Sequence, residues 1–339
     1  MLADVGSGKL KPACGETVAS YLEAWLATTG ALRLSPKSHQ SYSGVFRVWV
    51  IPELGALPLE KLTARDIEAW LVRASAPGAR RDGRAGSLSP GSLRHYVRLL
   101  RAALQDAVRQ ERLLRNPCDT AAKPRVTHEE VTALSVEELR RLVPATSGRL
   151  RIAVLLGGML GLRAGECVAL QWADIDFGAG VVTIRRSLED TKKRGLQFKL
   201  PKSGKTRKLA LPEALARELR RHKGEQATQR LQLGDGWQNN DLVLAREDGS
   251  IWSRGALSTA FRDQALRLGL PTTRFHSLRH SCATALLGCG QGAAVVQAVL
   301  GHSTPSFTVQ VYGHALPEHM REAARVMDRA MGDALGAVG

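Results

Sequence analysis

The stretch "IAVLLGGMLGLRAGECVALQWADIDF", residues 152–177, sets the architecture of the second half of this chain. From Ile152 to Leu160 every residue is apolar or glycine, which suits a buried helix. Even extended to Leu162 the run is too short to cross a bilayer. The apolar run gives way at Gly161, and Arg163 and Glu166 follow at once, so an arginine is presented from a rigid apolar support. By itself, an Arg-x-x-Glu spacing is also that of an ordinary ion pair along a helix.

Upstream, "LSVEELRRLV" (134–143) opens a domain sharply: Ser135 and Glu138 have the spacing of a capping box, which satisfies two orphan amides at a helix start. Downstream, "GVVTIRRSL" (180–188), "LQFKL" (196–200) and "RKLALP" (207–212) read as short strands, with further helices after them. Strands and helices do not alternate, so the domain is predicted to be α+β rather than doubly wound.

Ahead of this domain, "DTAAKPRVTHEEVTA" (119–133) is polar, aperiodic and interrupted by Pro124, as a linker would be. The N-terminal part reads as all-helical. In "TVASYLEAWL" (17–26), Val18, Tyr21, Leu22, Trp25 and Leu26 fall on one helix face. Ser35-Pro36 and Ser89-Pro90 each offer an N-cap followed by proline at the first helical position. The second of these helices runs through Leu93, Val97, Leu100, Leu104 and Val108, with Arg115-Asn116-Pro117 expected to stop it. Thr63 and Asp66 open a shorter helix carrying Ile67, Trp70 and Leu71. The loop "APGARRDGRAGS" (76–87) is expected to be mobile and solvent-facing. The expected organisation is a short tail (1–16), a mainly α domain (17–120), a linker (121–134), an α+β domain (135–315) and a C-terminal helix (316–339).

Composition bounds the partners. The 339 residues carry a formal net charge of +16, and 44% of them are hydrophobic, so the chain is globular and strongly basic. A polyanion such as nucleic acid is the commonest reason for such a charge. The first residues lack the apolar core of a signal peptide, which leaves a soluble, cytoplasmic protein as the expectation. The five cysteines are scattered and contain no Cys-x-x-Cys pair, so neither a disulfide framework nor a zinc site is indicated.

Three further polar groups stand out. "PKSGKTRKLALP" (201–212) puts Lys202 in what reads as a hairpin turn, followed by Lys205, Arg207 and Lys208. "HSLRHS" (276–281) puts His276 and Arg279 one helical turn apart, able to converge on one ligand. "LGHSTPSFTVQVYGH" (300–314) brackets Tyr312, one of only four tyrosines, with histidines. Each group alone also reads as a solvated loop, a surface pair or a packing residue.

Taken in order, Arg163, a hairpin lysine, His-x-x-Arg, "LGH" and a tyrosine resemble the active site of the tyrosine recombinases, the phage-integrase family. The likeness spans residues 135 to 315, and the helical part from about Thr17 to Cys118 resembles that family's core-site-binding domain more loosely. The resemblance implies a mainly α core-binding domain with an α+β catalytic domain of the DNA breaking-rejoining type. It also implies cleavage and rejoining of double-stranded DNA through a 3′-phosphotyrosyl bond and a Holliday junction, to integrate or excise a mobile element.

On this likeness Tyr312 is the nucleophile. Arg163 and Arg279 neutralise the phosphate, because guanidinium forks match its nonbridging oxygens. Lys202 is the general acid, His276 a proton acceptor or phosphate ligand, and His302 a hydrogen-bond donor, with Glu166 orienting Arg163 or His276. No carboxylate cluster of the kind that holds catalytic Mg²⁺ accompanies these residues, so no metal or other cofactor is expected. Arg80, Arg81, Arg84, Lys205, Arg207 and Lys208 are the candidate DNA-backbone contacts.

The implied assembly is a monomer in solution and a homo-tetramer at synapsis, associated with the nucleoid when bound. An excision or DNA-bending factor is left open. After Pro317, Met320, Ala324, Met327, Met331 and Leu335 form the stripe of an amphipathic helix that would dock on a neighbouring protomer or fold back on its own domain. With helices beginning by about residue 17, the arm-site-binding domain of larger members is not expected here. No role is derived for the polar insertion "HKGEQATQRLQLGDGWQNND" (222–241). Two other readings share some of these features: a type IB topoisomerase and a non-catalytic DNA-binding protein.

Overall fold

The computed structural model describes residues 15–83, 85–126, 133–191, 195–201, 204 and 206–301. The chain divides into two compact units, residues 1–129 and 130–339.

The N-terminal unit is helical. Helix α1 (Val18–Trp25) starts at a capping box in which Thr17 and Ser20 exchange side-chain-to-backbone hydrogen bonds, and it continues through a π turn at Leu26–Gly30 into Ala31–Arg33. Its buried face is Val18, Tyr21, Leu22, Trp25 and Leu26, the stripe read from the sequence. Helix α2 (Pro36–Val45), capped by Ser35, likewise runs through a π turn, Phe46–Val50, into Ile51–Leu54. Helix α3 (Ala64–Ser75) begins at the Thr63–Asp66 box and buries Ile67, Trp70 and Leu71.

Helix α4 (Pro90–Arg109), capped by Ser89, stops earlier than the sequence suggests. The stop is a Schellman turn: Glu111 takes a left-handed φ of 58°, and Arg112 N–H donates to Ala107 O at 2.9 Å. Asn116-Pro117, expected to end this helix, instead starts the helical turn α5 (Pro117–Thr120), with Asn116 accepting from the Cys118 amide. Tyr21, Trp25 and α4 are tied together through polar tips: Tyr21 O–H donates to Ala103 O at 2.7 Å and Trp25 Nε1–H to Asp106 Oδ2 at 2.9 Å.

The second unit is α+β. The Ser135–Glu138 capping box starts α6 (Val136–Leu142), and the apolar run forms α7 (Gly148–Leu160), followed by one turn, α8 (Ala164–Cys167). Strands β1 (Ile175–Asp176), β2 (Val181–Ile184) and β5 (Arg207–Ala210) make an antiparallel sheet in the order β1-β2-β5. Strands β3 (Ser187–Thr191) and β4 (Gly195–Lys199) form a separate two-stranded ribbon. Helices α9 (Glu213–Leu233), α10 (Arg254–Arg267), α11 (Phe275–Gly288) and α12 (Ala293–Leu300) complete the unit. Its core gathers Ile152, Leu156, Leu160, Val182, Ile184, Leu209, Leu219, Phe261 and Leu278.

One expectation changes here. The segment carrying Lys202 does not close a hairpin between neighbouring strands, because β4 pairs with β3 while β5 pairs with β2. The reason is burial. Val182 and Ile184 of β2 meet the core, and of the two strands flanking this segment β5 brings a buried apolar residue, Leu209, with buried Leu211 just past its end, whereas β4 is exposed along its whole length. The polar insertion at 222–241, to which the sequence assigns no role, is largely the second half of α9. It is held by its polar side chains: His222 Nε2 bonds Val243 O at 2.9 Å, and Gln226 accepts from Trp172 Nε1–H at 2.7 Å while donating to Leu242 O.

Asp106 is the polar anchor of the N-terminal core, only 6% exposed and shared by the Trp25 indole, Arg33 and Arg109. Replacing it with leucine leaves the buried indole N–H without an acceptor, at a cost of about 1–3 kcal/mol. Asp106→Asn, which keeps an acceptor, should lose less. Native-state hydrogen exchange at the amides of α1 and α4 reads both variants. Protection in Asp106→Leu equal to that of the unmodified chain would mean the bond contributes nothing.

Candidate active site

The site is built where two apolar helices end. Helix α7 terminates at Gly161, whose φ of 62° is left-handed. A Cβ there would stand 2.3 Å from Leu300 Cδ2, so only glycine lets the end of α12 pack against this turn. Leu162 is buried behind the turn, and Arg163 becomes the N-cap residue of α8.

In that position Arg163 meets Glu166 twice. The carboxylate accepts from the Arg163 amide at 3.0 Å through Oε2 and from Arg163 Nη1–H at 3.0 Å through Oε1. Arg163 Nη2–H also donates to Gly301 O at 3.4 Å, and its side chain stays 25% exposed. Gly165 lets β3 approach, since a Cβ there would lie 2.6 Å from Ser187 Oγ.

Glu166 is 1% exposed. A second arginine, Arg207 of β5, shares it, donating from Nη2 to Oε2 at 2.8 Å and from Nη1 to Oε1 at 3.2 Å. Burial pushes the Glu166 pKa upward, but the bonds and charge of Arg207, followed by those of Arg163, outweigh it and hold the carboxyl below its ordinary value.

Arg279, on α11, is 1% exposed and spans the two helix ends: Nη1–H donates to Gly161 O and Nη2–H to Leu300 O, both at 2.6 Å. His276, one turn earlier, is exposed as a residue, and its ring lies edge-to-face on His280 with centroids 4.8 Å apart. Packing around the ring, then the positive charges of His280, Arg279 and Arg163, lower its pKa to about 4. His276 is thus a neutral imidazole at pH 7, able to accept a proton.

The structure therefore brings Arg163, Glu166, His276 and Arg279 together in one neighbourhood. Lys202, His302, Tyr312, Arg84 and Lys205, and the expected C-terminal helix, lie outside the described residues. Of the candidate DNA contacts, Lys208 is exposed on β5. Arg207 is a correction, because its side chain is only 10% exposed and is turned onto Glu166 rather than toward solvent. Arg80 and Arg81 do not stand free in their loop. Arg80 forms a bidentate pair with Asp82 and donates to Ser87 O, and Arg81 pairs with Glu53, which also holds Arg73. The inward direction of Arg207 had a signal in the sequence: two-residue alternation along β5 puts it on the face of buried Leu209.

Comparison with known proteins fits this geometry. Twenty per cent of residues are shared with the Tn1549 transposon integrase in complex with transposon right end DNA, with a TM-score of 0.76 over 92% of this chain and 99% of that one. A lambda integrase tetramer bound to a Holliday junction gives a TM-score of 0.62 at 19% identity, covering 90% and 81%. The fold is thus that of the tyrosine integrases, a helical domain and an α+β domain.

In sequence, the chain is 25% identical to a Tyrosine recombinase XerC-like protein of Caldanaerobacter subterraneus subsp. tengcongensis, covering 92% of this chain and 83% of that one. It is 27% identical to an Integrase of Streptomyces ambofaciens, covering 97% and 84%. The profile of the Phage integrase family matches residues 125–319, more than half the chain, and that of the Phage integrase, N-terminal SAM-like domain matches residues 17–73. The chain belongs to the phage integrase family, and its activity is that of a tyrosine-type site-specific recombinase. Among the described residues no helix is long and apolar enough to cross a membrane.

The lowered pKa of His276 has a definite sign. The folded chain resists protonation that the unfolded chain accepts, so this contribution to stability is complete above pH 6.5 and declines as pH falls toward about 4. A nitrogen-detected NMR titration of the free protein should find His276 neutral at pH 6. A midpoint near 6.5 would contradict the electrostatic environment described.

Proposed function

We propose that this recombinase cleaves duplex DNA with Tyr312 as nucleophile, forming a 3′-phosphotyrosyl bond, and rejoins strands through a Holliday junction within a homo-tetramer. The observation that carries the reading is the convergence of Arg163 and Arg279 on the two helix ends at Gly161 and Leu300–Gly301. The next residue in the chain is His302, and Tyr312 follows ten positions later.

In the cleavage step the phenol oxygen of Tyr312 bonds to phosphorus as the bond to the 5′-oxygen breaks. The phenol proton goes to neutral His276, and the departing 5′-oxygen takes a proton from Lys202. Charge growing on the nonbridging oxygens is met by Arg163 and Arg279, with His302 donating a further hydrogen bond. Rejoining reverses each transfer, with the 5′-hydroxyl of the exchanged strand as nucleophile, so the energy of the phosphodiester is conserved in the tyrosyl ester.

Residues 135–315 act as the catalytic domain and residues 17–120 as the core-site-binding domain. Arg80, Arg81, Arg84, Lys205 and Lys208 are the candidate backbone contacts; for Arg80 and Arg81 this means exchanging their carboxylate partners for phosphate. The helix expected over 316–339 joins protomers in trans, so that cutting is tied to assembly. Relatives named "ICEBs1 integrase" and "Putative prophage phiRv2 integrase" support a role in integration or excision.

Trapping on a nicked suicide duplex tests the nucleophile. Tyr312→Phe should form no denaturant-resistant adduct while binding a half-site nearly as before, and an adduct in that variant would remove Tyr312 from the role. Arg163→Ala should slow cleavage by about two to three orders of magnitude, as the loss of one oxyanion donor does. Arg279→Ala is the poorer test, since it also strips two buried carbonyls of their donor.

A further inference from the structure

Arg207 has no part in the chemistry above, yet its side chain makes three hydrogen bonds beside it. Its fork covers both oxygens of Glu166, and its Nε–H donates to Val299 O at 3.1 Å. Val299 lies two residues before Gly301, whose carbonyl receives Arg163 Nη2–H. Arg207 therefore touches both anchors of Arg163: the carboxylate on one side and the end of α12 on the other.

Charge accounting gives this arrangement a consequence. Glu166 is buried, and its negative charge must be compensated locally. With Arg207 present, the single carboxylate is shared by two cations, so Arg163 is only partly neutralised by it and keeps net positive charge for a phosphate. With Arg207 absent, the carboxylate has Arg163 as its only arginine partner among the contacts described. A bidentate arginine–carboxylate pair is a strong, directional bond, so the Arg163 fork would turn inward and its charge would be cancelled. Lysine does not substitute, because a compact ammonium cannot meet two carboxylate oxygens and the Val299 carbonyl in one plane.

We propose that Arg207 is a positioning residue for strand cleavage, neutralising Glu166 and fixing the end of α12 so that the guanidinium of Arg163 is aligned for, and available to, the scissile phosphate. This rests on the reading of Arg163 as a phosphate ligand. The role differs from that of a DNA contact, since Arg207 would reach no nucleotide.

The test uses the full chain and single-turnover cleavage of a nicked suicide duplex, read as a rate constant, which does not depend on the fraction of molecules that fold. Arg207→Gln should slow cleavage by roughly 10- to 100-fold, the usual range for loss of a group that orients a ligand. Half-site affinity should change little, and Arg207→Lys should recover only part of the rate. The decisive variant is the double substitution Glu166→Gln with Arg207→Gln. It removes the buried charge together with its partner, which folded proteins tolerate far better than removing one of the two. It should cleave faster than Arg207→Gln alone and approach Glu166→Gln.

An Arg207→Gln rate equal to that of the unmodified chain would overturn the proposal. So would a double variant no faster than Arg207→Gln, because the effect would then not pass through Glu166. Arg163→Ala, run alongside, separates the two levels: if it cleaves normally, the assignment of Arg163 fails, whatever Arg207 does.

Discussion

A single buried carboxylate organises the catalytic unit. Glu166 carries a negative charge where water does not reach, and such a charge persists only when cations and donors surround it. The surroundings come from separate parts of the chain: the amide and guanidinium of Arg163 at the start of α8, and the guanidinium of Arg207 from β5. The sheet, the end of α7 and the end of α12 are consequently tied to one point. Because the folded pKa of Glu166 lies below the ordinary carboxylate value, its stabilising contribution is full at neutral pH. It is lost only as pH falls through the acidic range where the folded carboxyl takes up a proton.

Arg279 solves a second problem with the same chemistry. The last carbonyls of a helix have no partners within it, and the helix dipole makes that end negative. Two such ends, those of α7 and α12, converge here, each followed by a glycine in the left-handed region. A guanidinium laid between Gly161 O and Leu300 O satisfies both and is favoured by both dipoles. This accounts for how an arginine can be 1% exposed: two helix-end carbonyls without partners inside their helices accept from its fork. The group that welds the helix ends is also held in a fixed place beside Arg163.

Local signals carried most of the fold. Thr63–Asp66, Ser135–Glu138, Ser35-Pro36 and Ser89-Pro90 each announce a helix start from residues within one turn, and each cap forms. What escaped was non-local. Nothing within "PKSGKTRKLALP" says that β5 must pair with β2 across the β3–β4 ribbon; that follows from which strand has apolar residues to bury. The polar half of α9 gave no apolar stripe because its hold on the unit runs through His222 and Gln226 to backbone carbonyls beyond the helix. The site was legible in residue identity more than in direction. Arg163, His276 and Arg279 were picked out, whereas Arg207 was grouped with the basic loop although the alternation of its own strand turns it inward.

Burial, His280 and the arginines together set the protonation state of His276. Packing, then the charges of His280, Arg279 and Arg163, keep the His276 ring neutral in the free protein, with a pKa of about 4. A base so depressed is always in the accepting form near neutral pH but is weak. A phosphodiester entering the cluster brings a negative charge, which opposes the arginines' effect on the ring and raises its basicity. In the proposed reaction, proton acceptance is thereby coupled to occupancy of the arginine pair: the ring is weakest as a base while the site is empty, and it strengthens when the group to be attacked is in place.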